Sequence, residues 1–375
     1  MLLNRIINKT GRIINHHRGW KTNRKIVVIE SDDWGSVRTP NLEVYNKLLK
    51  NGLHVDRCRY HKYDSLASAD DFSLLYNVLS QVKDKNGNPP VFTANTVVAN
   101  PDFTRIRESD FEQYFYEDFR VTLSKYPRHN FNIWQEGIDK NLFIPQFHGR
   151  EHLNINRWLE LLKSGNKKVH LAFNYGLFGL NQLVVNENIP NLAAALEAKN
   201  TEEIKQHNNI LTVGIKMFND IFSYSSKSFI APNYIWHKDH EQTLYQNKIK
   251  YLQGVHSQFQ PTLNNKLIYK PHYLGQKNNL GQEYLIRNCT FEPSSFKKMD
   301  WVDSCLKEIE IAFNNHRPAI ICSHRVNFVG YINNSNRDKN LSQLHILFTR
   351  LINKWPDVEF MSTPSLGKLI NNTIN

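Results

Sequence analysis

Two adjacent carboxylates follow a short β-prone stretch near the start of the chain. Residues 26–35 read IVVIESDDWG, which predicts a buried strand that opens into a loop around Asp32 and Asp33. In α/β folds, chemistry is found at this end of the strands. Two neighbouring carboxylates repel each other, and burying both is costly unless a cation or hydrogen-bond donors neutralise them. The pair therefore predicts a partner, most simply a metal ion.

Two histidines, His148 and His152, stand four residues apart after another predicted strand. This spacing brings both imidazoles to one side if the segment is helical or tightly turned. Two imidazoles and one carboxylate, with open positions for water and substrate, form a common catalytic site for a divalent metal. We therefore predict that Asp33, His148 and His152 bind a metal ion. Zn²⁺ is the first choice, and Co²⁺, Mn²⁺ or Ni²⁺ are the alternatives.

The other carboxylate, Asp32, and a third histidine, His324, are the candidates for proton transfer. A carboxylate beside a metal-activated water can take its proton. His324 ends the predicted strand 319–322 and is placed to protonate a leaving amine or alkoxide. The alternatives are structural, because Asp32 would also serve as a helix N-cap and His324 as a buried structural histidine.

The segments that would position these residues alternate between strand and helix patterns. About eight strands alternate with helices without a linker, so the pattern favours one (β/α) barrel domain, residues 25–375, after a basic amphipathic segment, residues 1–24. Further strands are predicted at 91–96, 142–147, 228–230, 249–252, 284–289 and 358–361. Helices are predicted at 41–51, 70–82, 155–163, 189–198, 201–208, 210–224, 301–314 and 341–355.

Taken together, the motifs resemble those of the polysaccharide deacetylases, the NodB-homology group of carbohydrate esterases known as family four. That family has an Asp-Asp pair after its first strand, here SDDWG at 31–35, and two histidines four apart, here His148 and His152. It ends with a hydrophobic strand leading to a histidine, here IICSH at 320–324. A further motif of arginine, prolines and an aromatic residue is matched only in outline, by FIAPNY at 229–234. The resemblance spans about residues 25 to 365.

The resemblance implies an α/β fold with a distorted (β/α) barrel of about seven or eight strands. It also implies metal-dependent removal of an acetyl group from the nitrogen or oxygen of a sugar, in a polysaccharide or a glycan precursor. Asp32 would be the base, His324 the acid, and Tyr234 or the backbone N–H next to it would help to hold the oxyanion. The substrate-binding residues expected from it are Trp34, Arg150, Pro232, Tyr234, Trp236, Arg325 and Asn327.

Two departures from the family pattern leave alternatives open. Ile230 stands where the family has an arginine that orients the base, and Arg150, Arg287 and Arg325 are the substitutes available. Gly149 stands where the family has serine or threonine. One alternative is a glycoside hydrolase on the same barrel, which would use Glu30, Glu151 or Glu292 as a further acid. The other is a carbohydrate-binding protein whose site is catalytically degenerate. Trp34 is equally compatible with packing inside the barrel.

The charge of the chain predicts an anionic partner. The formal net charge is +12 with a pI near 9.3, and residues 5–25 carry seven Lys or Arg and no acid. This segment would lie on an anionic membrane as an amphipathic helix, or cover a barrel end as a solvated one. Acids are interleaved with the bases after residue 30, which argues against specific nucleic-acid binding.

Composition also sets an expected location. The chain has no apolar run long enough to span a bilayer, and its first residues lack the pattern of a secretory signal. Four widely spaced cysteines predict free thiols in a reducing compartment. We therefore predict a cytoplasmic protein, peripheral at the inner face of the membrane, that acts on lipid-linked or nucleotide-linked acetylated sugars.

Overall fold

The structure is a computed structural model, and it describes residues 18–126, 129–262 and 266–374. A parallel sheet lies at its centre. The strands in chain order are β1 (Ile26–Trp34), β2 (Phe92–Thr96), β3 (Ala99–Pro101), β4 (Tyr116–Asp118), β5 (Phe143–Phe147), β6 (Ser228–Ile230), β7 (Tyr251–Gly254), β8 (Ser257–Pro261), β9 (Leu267–Pro271), β10 (Glu283–Ile286), β11 (Cys289–Thr290), β12 (Ala319–His324) and β13 (Glu359–Met361).

The strands of the main sheet follow one another in the order β10, β7, β6, β5, β2, β1, β12, β11, and every neighbouring pair is parallel. β13 adds to the start of β1. The two end strands, β10 and β11, are consecutive parts of one extended segment. Between them, Arg287 N–H donates to Gly254 O of β7, and Asn288 N–H donates to Ile320 O of β12. The segment therefore crosses from one edge of the sheet to the other and curls it into a seven-membered barrel, as predicted.

Helices surround this barrel. They are α1 (Leu42–Lys50), α2 (Arg59–Tyr63), α3 (Ala69–Ser80), α4 (Phe103–Glu108), α5 (Phe119–Ser124), α6 (Asn132–Asp139), α7 (Ile155–Lys163), α8 (Lys167–Asn174), α9 (Gln182–Val185), α10 (Thr201–Phe222), α11 (Lys238–Gln246), α12 (Trp301–Asn314), α13 (Asn334–Lys354) and α14 (Thr363–Ile374). No helix among the described residues is long and apolar enough to cross a membrane.

Two buried clusters hold the layers together. The larger one packs the outward side chains of the strands against the helices. The smaller one fills the end of the barrel on which α14 packs, where Val28, Leu285 and Ile320 contact Leu366 and Ile370. Trp20 packs on this cluster, and its indole N–H donates to Thr373 Oγ1 at 2.7 Å. Residues 1–17, most of the predicted amphipathic segment, lie outside the described residues.

One predicted helix is wrong, and two others are a single helix. Residues 201–208 and 210–224 belong to the uninterrupted α10. Residues 189–198 form turns instead of a helix, although Leu192 and Leu196 are buried. The reason is a competing donor: Asn154 Nδ2 donates to Ala194 O at 3.0 Å and to Glu197 O at 2.9 Å. Side-chain hydrogen bonds of this kind satisfy backbone groups outside a helix.

Candidate active site

The end of β1 breaks the regular strand so that both aspartates reach one site. Consecutive residues of a strand point to opposite faces, so Asp32 and Asp33 would normally separate. Here the register between β1 and β2 shifts between Ser31 and Trp34, and Asp33 has a φ of 75°. A bulge of this type re-aims a side chain, and the left-handed conformation of a residue other than glycine carries strain. Strain of this kind is characteristic of functional sites.

Glycine closes the turn that follows. Gly35 has a φ of 84°, and a Cβ at this position would stand 2.3 Å from Val97 O. Any side chain there would force the turn apart and displace Asp33.

The two predicted histidines face Asp33. His148 Nε2 lies 3.7 Å and His152 Nε2 lies 3.5 Å from Asp33 Oδ1. The segment between them is turned, not helical, and Gly149 with a φ of 104° makes the turn. This conformation explains why glycine replaces the serine or threonine of the resembling family. His148 Nδ1 contacts Ile230 O at 2.8 Å, so a proton on Nδ1 leaves the Nε2 lone pair free.

These three side chains fit a divalent metal. One ligand atom from each lies within 4.8 Å of the others. Ligand atoms on one tetrahedral Zn²⁺, at bond lengths of about 2.0–2.2 Å, stand roughly 3.4 Å apart, close to the separations of Asp33 from the two histidines. Burial lowers the pKa of His152 to about 3, with Arg38 contributing, so this imidazole is neutral at pH 7. Neutral imidazole is the form that binds metals.

Arg38 neutralises Asp33 within the protein itself. Its Nη2 donates to Asp33 Oδ1 at 2.9 Å. Burial alone would raise the pKa of Asp33, but Arg38 and the neighbouring histidines hold it well below its usual range. The ligand carboxylate is therefore ionised at neutral pH.

A second group with metal-ligand chemistry, Glu292, Cys322 and His324, lies close by. Burial raises the pKa of the Cys322 thiol to about 11, whereas metals bind the thiolate. Glu292 and His324 Nδ1 already form a short contact with each other. The group containing Asp33 therefore fits a metal better.

Position 230 is isoleucine, so it provides no arginine to orient Asp32. Arg287, which lies where the closing segment passes from β10 to β11, contacts Asp32 instead. Its Nη1 donates to Asp32 Oδ2 at 2.7 Å, and its Nη2 donates to Asp32 Oδ1 at 2.6 Å. Asn95 Nδ2 donates to Asp32 Oδ1 at 2.7 Å. Burial tends to raise the pKa of Asp32, but the paired guanidinium outweighs burial and holds it well below its ordinary value.

Arg287 is itself held in place by Glu30 and Thr363, which are buried inside the barrel. Its Nε donates to Glu30 Oε2 at 2.6 Å, and Thr363 Oγ1 at the start of α14 donates to Glu30 Oε1 at 2.7 Å. All four side chains of the series Thr363, Glu30, Arg287 and Asp32 are buried inside the barrel. Glu30 thus forms a structural ion pair with Arg287 and does not line the cavity.

His324 stands opposite Asp32 and is paired with Glu292. His324 Nε2 lies 3.7 Å from Asp32 Oδ2, and its Nδ1 contacts Glu292 Oε1. Glu292 also accepts from Arg59 Nη1 at 2.7 Å and from Asn327 Nδ2 at 3.0 Å. Burial tends to lower the pKa of His324, but Glu292 and the aspartates raise it above its ordinary value. The ring can therefore carry a proton on Nε2 near neutral pH.

These groups surround one cavity of ≈ 250 Å³. Asp32 and Asp33 are its only carboxylates among the described residues, and both are paired with arginine. The glycoside hydrolase alternative requires two carboxylates on opposite sides of a sugar, and this arrangement does not provide them. The lining residues are Asp32, Asp33, Arg38, Cys58, Tyr60, His61, His148, His152, Gly179, Asn181, Asn191, Ala193, Ala231, Asn233, Tyr234 and His324.

Of the seven predicted substrate-binding residues, only Tyr234 lines this cavity. Its phenol accepts from Arg287 Nη1 at 3.1 Å, while its backbone N–H donates to Ala231 O. Trp34 instead packs in the core against Phe72, Trp134 and Phe143, because the bulge turns it away from Asp33.

The other five are held by partners outside the cavity. Arg150 pairs with Glu151, Trp236 donates to Glu241, and Arg325 pairs with Asp64. Asn327 supports Glu292, and Pro232 borders a neighbouring small pocket. A buried arginine needs a carboxylate, and Glu151 and Asp64 meet this requirement for Arg150 and Arg325.

Several residues of the site were not predicted. Asn95, which was not predicted, and Glu292, which was named only as an acid for the glycoside hydrolase alternative, follow the same rule as Asp32, because each lies at or just after the end of a parallel strand. Applying that rule to every strand would have found both. Arg38 lies between β1 and α1, and Tyr60 and His61 lie on the short helix α2; no sequence pattern marks these three residues.

No family model matches the chain, and no curated protein matches it in sequence. Among solved structures, it is similar to a protein from Mycobacterium smegmatis named as a polysaccharide deacetylase, with 9% identity over 95% of this chain and 93% of that chain and a TM-score of 0.44. A protein from Pseudomonas aeruginosa PAO1 of the same name has 8% identity over 92% and 91%, and a TM-score of 0.45. A 4-alpha-glucanotransferase from Thermococcus litoralis has 7% identity over 91% of this chain but 40% of that chain, and a TM-score of 0.44.

Proposed function

We propose that this protein is a metal-dependent hydrolase that removes an acetyl group from a sugar. The observation that carries the proposal is the arrangement around the cavity: three convergent metal-ligand atoms, an ionised Asp32 and a His324 whose pKa is raised. Hydrolysis of an acyl group needs an activated water, a base and an acid on one side of the carbonyl. The choice of an acetylated sugar comes from the motif resemblance.

A divalent ion held by Asp33, His148 and His152 would supply a Lewis acid that polarises the acetyl carbonyl and acidifies water. Asp32 accepts the proton of the attacking water. Arg287 and Asn95 keep the carboxylate in one orientation, and its low pKa keeps it ionised. A carboxylate with a depressed pKa is a weak base, so it needs an acidified water as its partner.

His324 completes the reaction. A C–O bond to water oxygen forms, the C–N or C–O bond to the sugar breaks, and His324 Nε2 gives its proton to the departing atom. Glu292 stabilises the protonated ring and fixes its tautomer through Nδ1. The products are acetate and a free amine or hydroxyl on the sugar.

The finer assignments are also proposals. Zn²⁺ suits a site of two imidazoles and one carboxylate. None of the four cysteines forms a disulfide bond, and three of them are buried, which supports a reducing compartment such as the cytoplasm. The substrate there would be a lipid-linked or nucleotide-linked acetylated sugar.

Elemental analysis of the purified protein tests the metal site without a substrate. We expect near one equivalent of a divalent metal per chain, lost in Asp33→Ala and in His148→Ala. His316→Asn is a matched control, because His316 is exposed and its φ of 55° suits asparagine. Absence of metal after incubation with excess Zn²⁺, in a folded wild-type protein, would contradict the proposal.

Release of acetate from N-acetylated and O-acetylated glycans tests the reaction. We expect Asp32→Asn and His324→Ala each to lower kcat by about a hundredfold or more while the metal content is unchanged. Sugar binding by the metal-loaded protein without any release of acetate would instead indicate a degenerate, carbohydrate-binding site.

A further inference from the structure

The barrel face that carries the site has two neighbouring loops with exposed apolar side chains. One is the β8–β9 hairpin, in which Phe259, Leu267 and Ile268 are 39%, 42% and 39% exposed. The other is the loop after β11, in which Phe296 and Met299 are 53% and 44% exposed. Monomeric proteins rarely group large apolar side chains on the surface unless a partner covers them.

The hairpin holds two of its exposed apolar residues, Phe259 and Leu267, on one face. Opposed residues of an antiparallel pair share a face, and so do alternate residues along a strand. Phe259 opposes Tyr269, and Leu267 opposes the buried Pro261, so these four side chains share a face. The opposite face carries Gln258, which is buried and donates to Trp236 O, and also Ile268. The hairpin thus contacts the barrel through Gln258 and leaves Phe259 and Leu267 exposed on its other face.

Both loops lie at the rim of the cavity. The hairpin is anchored beside the cavity-lining Asn233 and Tyr234, because Trp236 N–H donates to Phe259 O. The second loop lies against α2, which carries Tyr60 of the cavity wall; Lys62 Nζ of α2 is 5.5 Å from the Phe296 ring centroid. The loops follow β7 and β11, and β7 is the neighbour of the closing segment in the ring. They therefore leave the same end of the barrel at adjacent positions.

Lysines dominate the charge of these two loops, and Asp300, which follows Met299, is an exposed acid beside them. Residues 255–282 contain Lys266, Lys270 and Lys277 and no Asp or Glu. In the second loop, Lys297 and Lys298 lie between Phe296 and Met299, and residues 293–299 also contain no acid. Lys266, Lys270, Lys297 and Lys298 are exposed. A surface with aromatic and aliphatic side chains beside lysines is typical of proteins that lie on an anionic bilayer.

We propose that this rim, formed by Phe259, Leu267, Phe296 and Met299 with their flanking lysines, docks the barrel on the surface of an anionic membrane. The apolar side chains enter the boundary between headgroups and acyl chains, and the lysines contact lipid phosphates. The cavity mouth then faces the membrane. Lysines alone would suit any polyanion, but the apolar side chains gain free energy only where an apolar environment, here the acyl boundary, removes them from water. The inference rests on this surface and does not depend on the proposed reaction.

Co-sedimentation of the full chain with vesicles tests the proposal. One set of vesicles contains phosphatidylcholine with an equal amount of phosphatidylglycerol, and the other contains phosphatidylcholine alone. We expect binding to the anionic set that weakens as salt is added. The double variants Phe259→Ser/Leu267→Ser and Phe296→Ser/Met299→Ser should each bind about tenfold more weakly, because each loses two apolar contacts with the acyl boundary.

The control is the double variant Ile311→Ser/Ile346→Ser, on the outer helices α12 and α13. These side chains are 49% and 44% exposed, so the control removes as much apolar surface outside the rim. It should bind like the wild type, and all three variants should keep the wild-type unfolding temperature.

Three outcomes would overturn the proposal. One is vesicle binding that the rim variants do not change, which would place the contact elsewhere, for example in residues 1–17. A second is tight binding to soluble dextran sulfate with no binding to anionic vesicles, which would identify a polyanionic partner. The third is absence of binding in both assays.

Discussion

At the scale of single residues, the site depends on how each buried charge is neutralised. Arg287 contacts Glu30 and both oxygens of Asp32, so one guanidinium serves two buried carboxylates. Removing one partner of such a group leaves the others buried without compensation, which is more costly than losing an exposed pair. Arg287 therefore links the chemistry of the site to the stability of the barrel.

We expect Arg287→Met to lower the free energy of unfolding at pH 7 by about 3–5 kcal/mol. Without the guanidinium, burial raises the pKa of Asp32 above its unfolded value near 3.9. A raised carboxyl pKa favours the folded state at low pH and disfavours it as the pH rises. The loss should therefore be smaller at acid pH than at pH 7, as measured by urea unfolding at both.

Arg287→Lys serves as the comparison in the same experiment. It keeps the charge but loses the paired geometry, so we expect an intermediate loss of stability. Equal stability of the wild type and Arg287→Met at pH 7 would show that the ion pair does not matter.

We expect Glu292→Gln to lower the pKa of His324. Glu292 raises this pKa in the wild type, so the stabilisation by protonated His324 is full below the unfolded value near 6.5 and is lost as pH rises through the folded value. NMR titration of the His324 ring measures the change directly. If the enzyme is active, the basic limb of its pH profile should move to lower pH by the same amount.

The titration has an internal control in His237, whose pKa is lowered by burial and whose ring contacts Asp239. Its signal should titrate identically in both proteins. An unchanged His324 titration in the variant would mean that Glu292 does not set its protonation.

At the scale of elements, the sequence predicts strands and their ends better than it predicts the connections. The β-prone runs predicted β1, β6 and β12 because central parallel strands are buried on both faces and are nearly all apolar. The helix α7 matched its predicted bounds, since its amphipathic pattern coincides with Asn154 as a cap. The turns at 189–198 depend on a side chain 40 residues away, which no local pattern contains.

The same reasoning explains which parts of the site were predictable. Asp32, Asp33 and His324 lie at strand ends that the apolar runs identify. The contact of Arg287 with Asp32 spans 255 residues and depends on the curvature of the sheet. The bulge that turns Trp34 into the core also has no sequence signal of its own, so the sequence left substrate binding and core packing of Trp34 as equal alternatives.

We expect Gly35→Ala to destabilise the protein by about 1–3 kcal/mol and to weaken metal binding. A Cβ would clash with Val97 O, and the turn that orients Asp33 would open. Thermal unfolding and Zn²⁺ titration measure the two effects.

Gly52→Ala separates backbone strain from the clash. Gly52 has the same φ of 84°, but nothing lies within 4 Å of its Cβ position. It should show a smaller loss of stability and unchanged metal affinity. Equal metal affinity in both variants would mean that the turn does not position the site.

At the scale of the whole molecule, the barrel is closed by one short segment. Asn288 fixes the crossing: its backbone N–H donates to Ile320 O, its Oδ1 accepts from Ile320 N–H at 2.8 Å, and its Nδ2 donates to Pro318 O at 2.9 Å. The predictions of a separate segment at 1–24 and of one domain over 25–375 remain predictions, although Trp20 already packs on the barrel.

We expect Asn288→Ala to lower the free energy of unfolding by about 1–3 kcal/mol, since the Ile320 N–H loses its partner. Hydrogen exchange at Ile320 should accelerate more than exchange at Val28, on the neighbouring strand. Asn278→Ala, in a turn before β10, provides a comparison that should leave exchange at Ile320 unchanged. Uniform acceleration across the sheet would instead indicate a global loss of stability without a local opening.

A ring has no first or last position, and this bears on how the chain can be compared with others. Arg287 lies on the closing segment, which β7 separates from Ile230 of β6, and its guanidinium nevertheless reaches Asp32. A comparison of sequences shows only that position 230 is isoleucine instead of arginine. A comparison of distances finds Arg287 on Asp32. In a closed sheet, the absence of a motif residue from its expected strand therefore says little until the other strand ends of the barrel have been inspected.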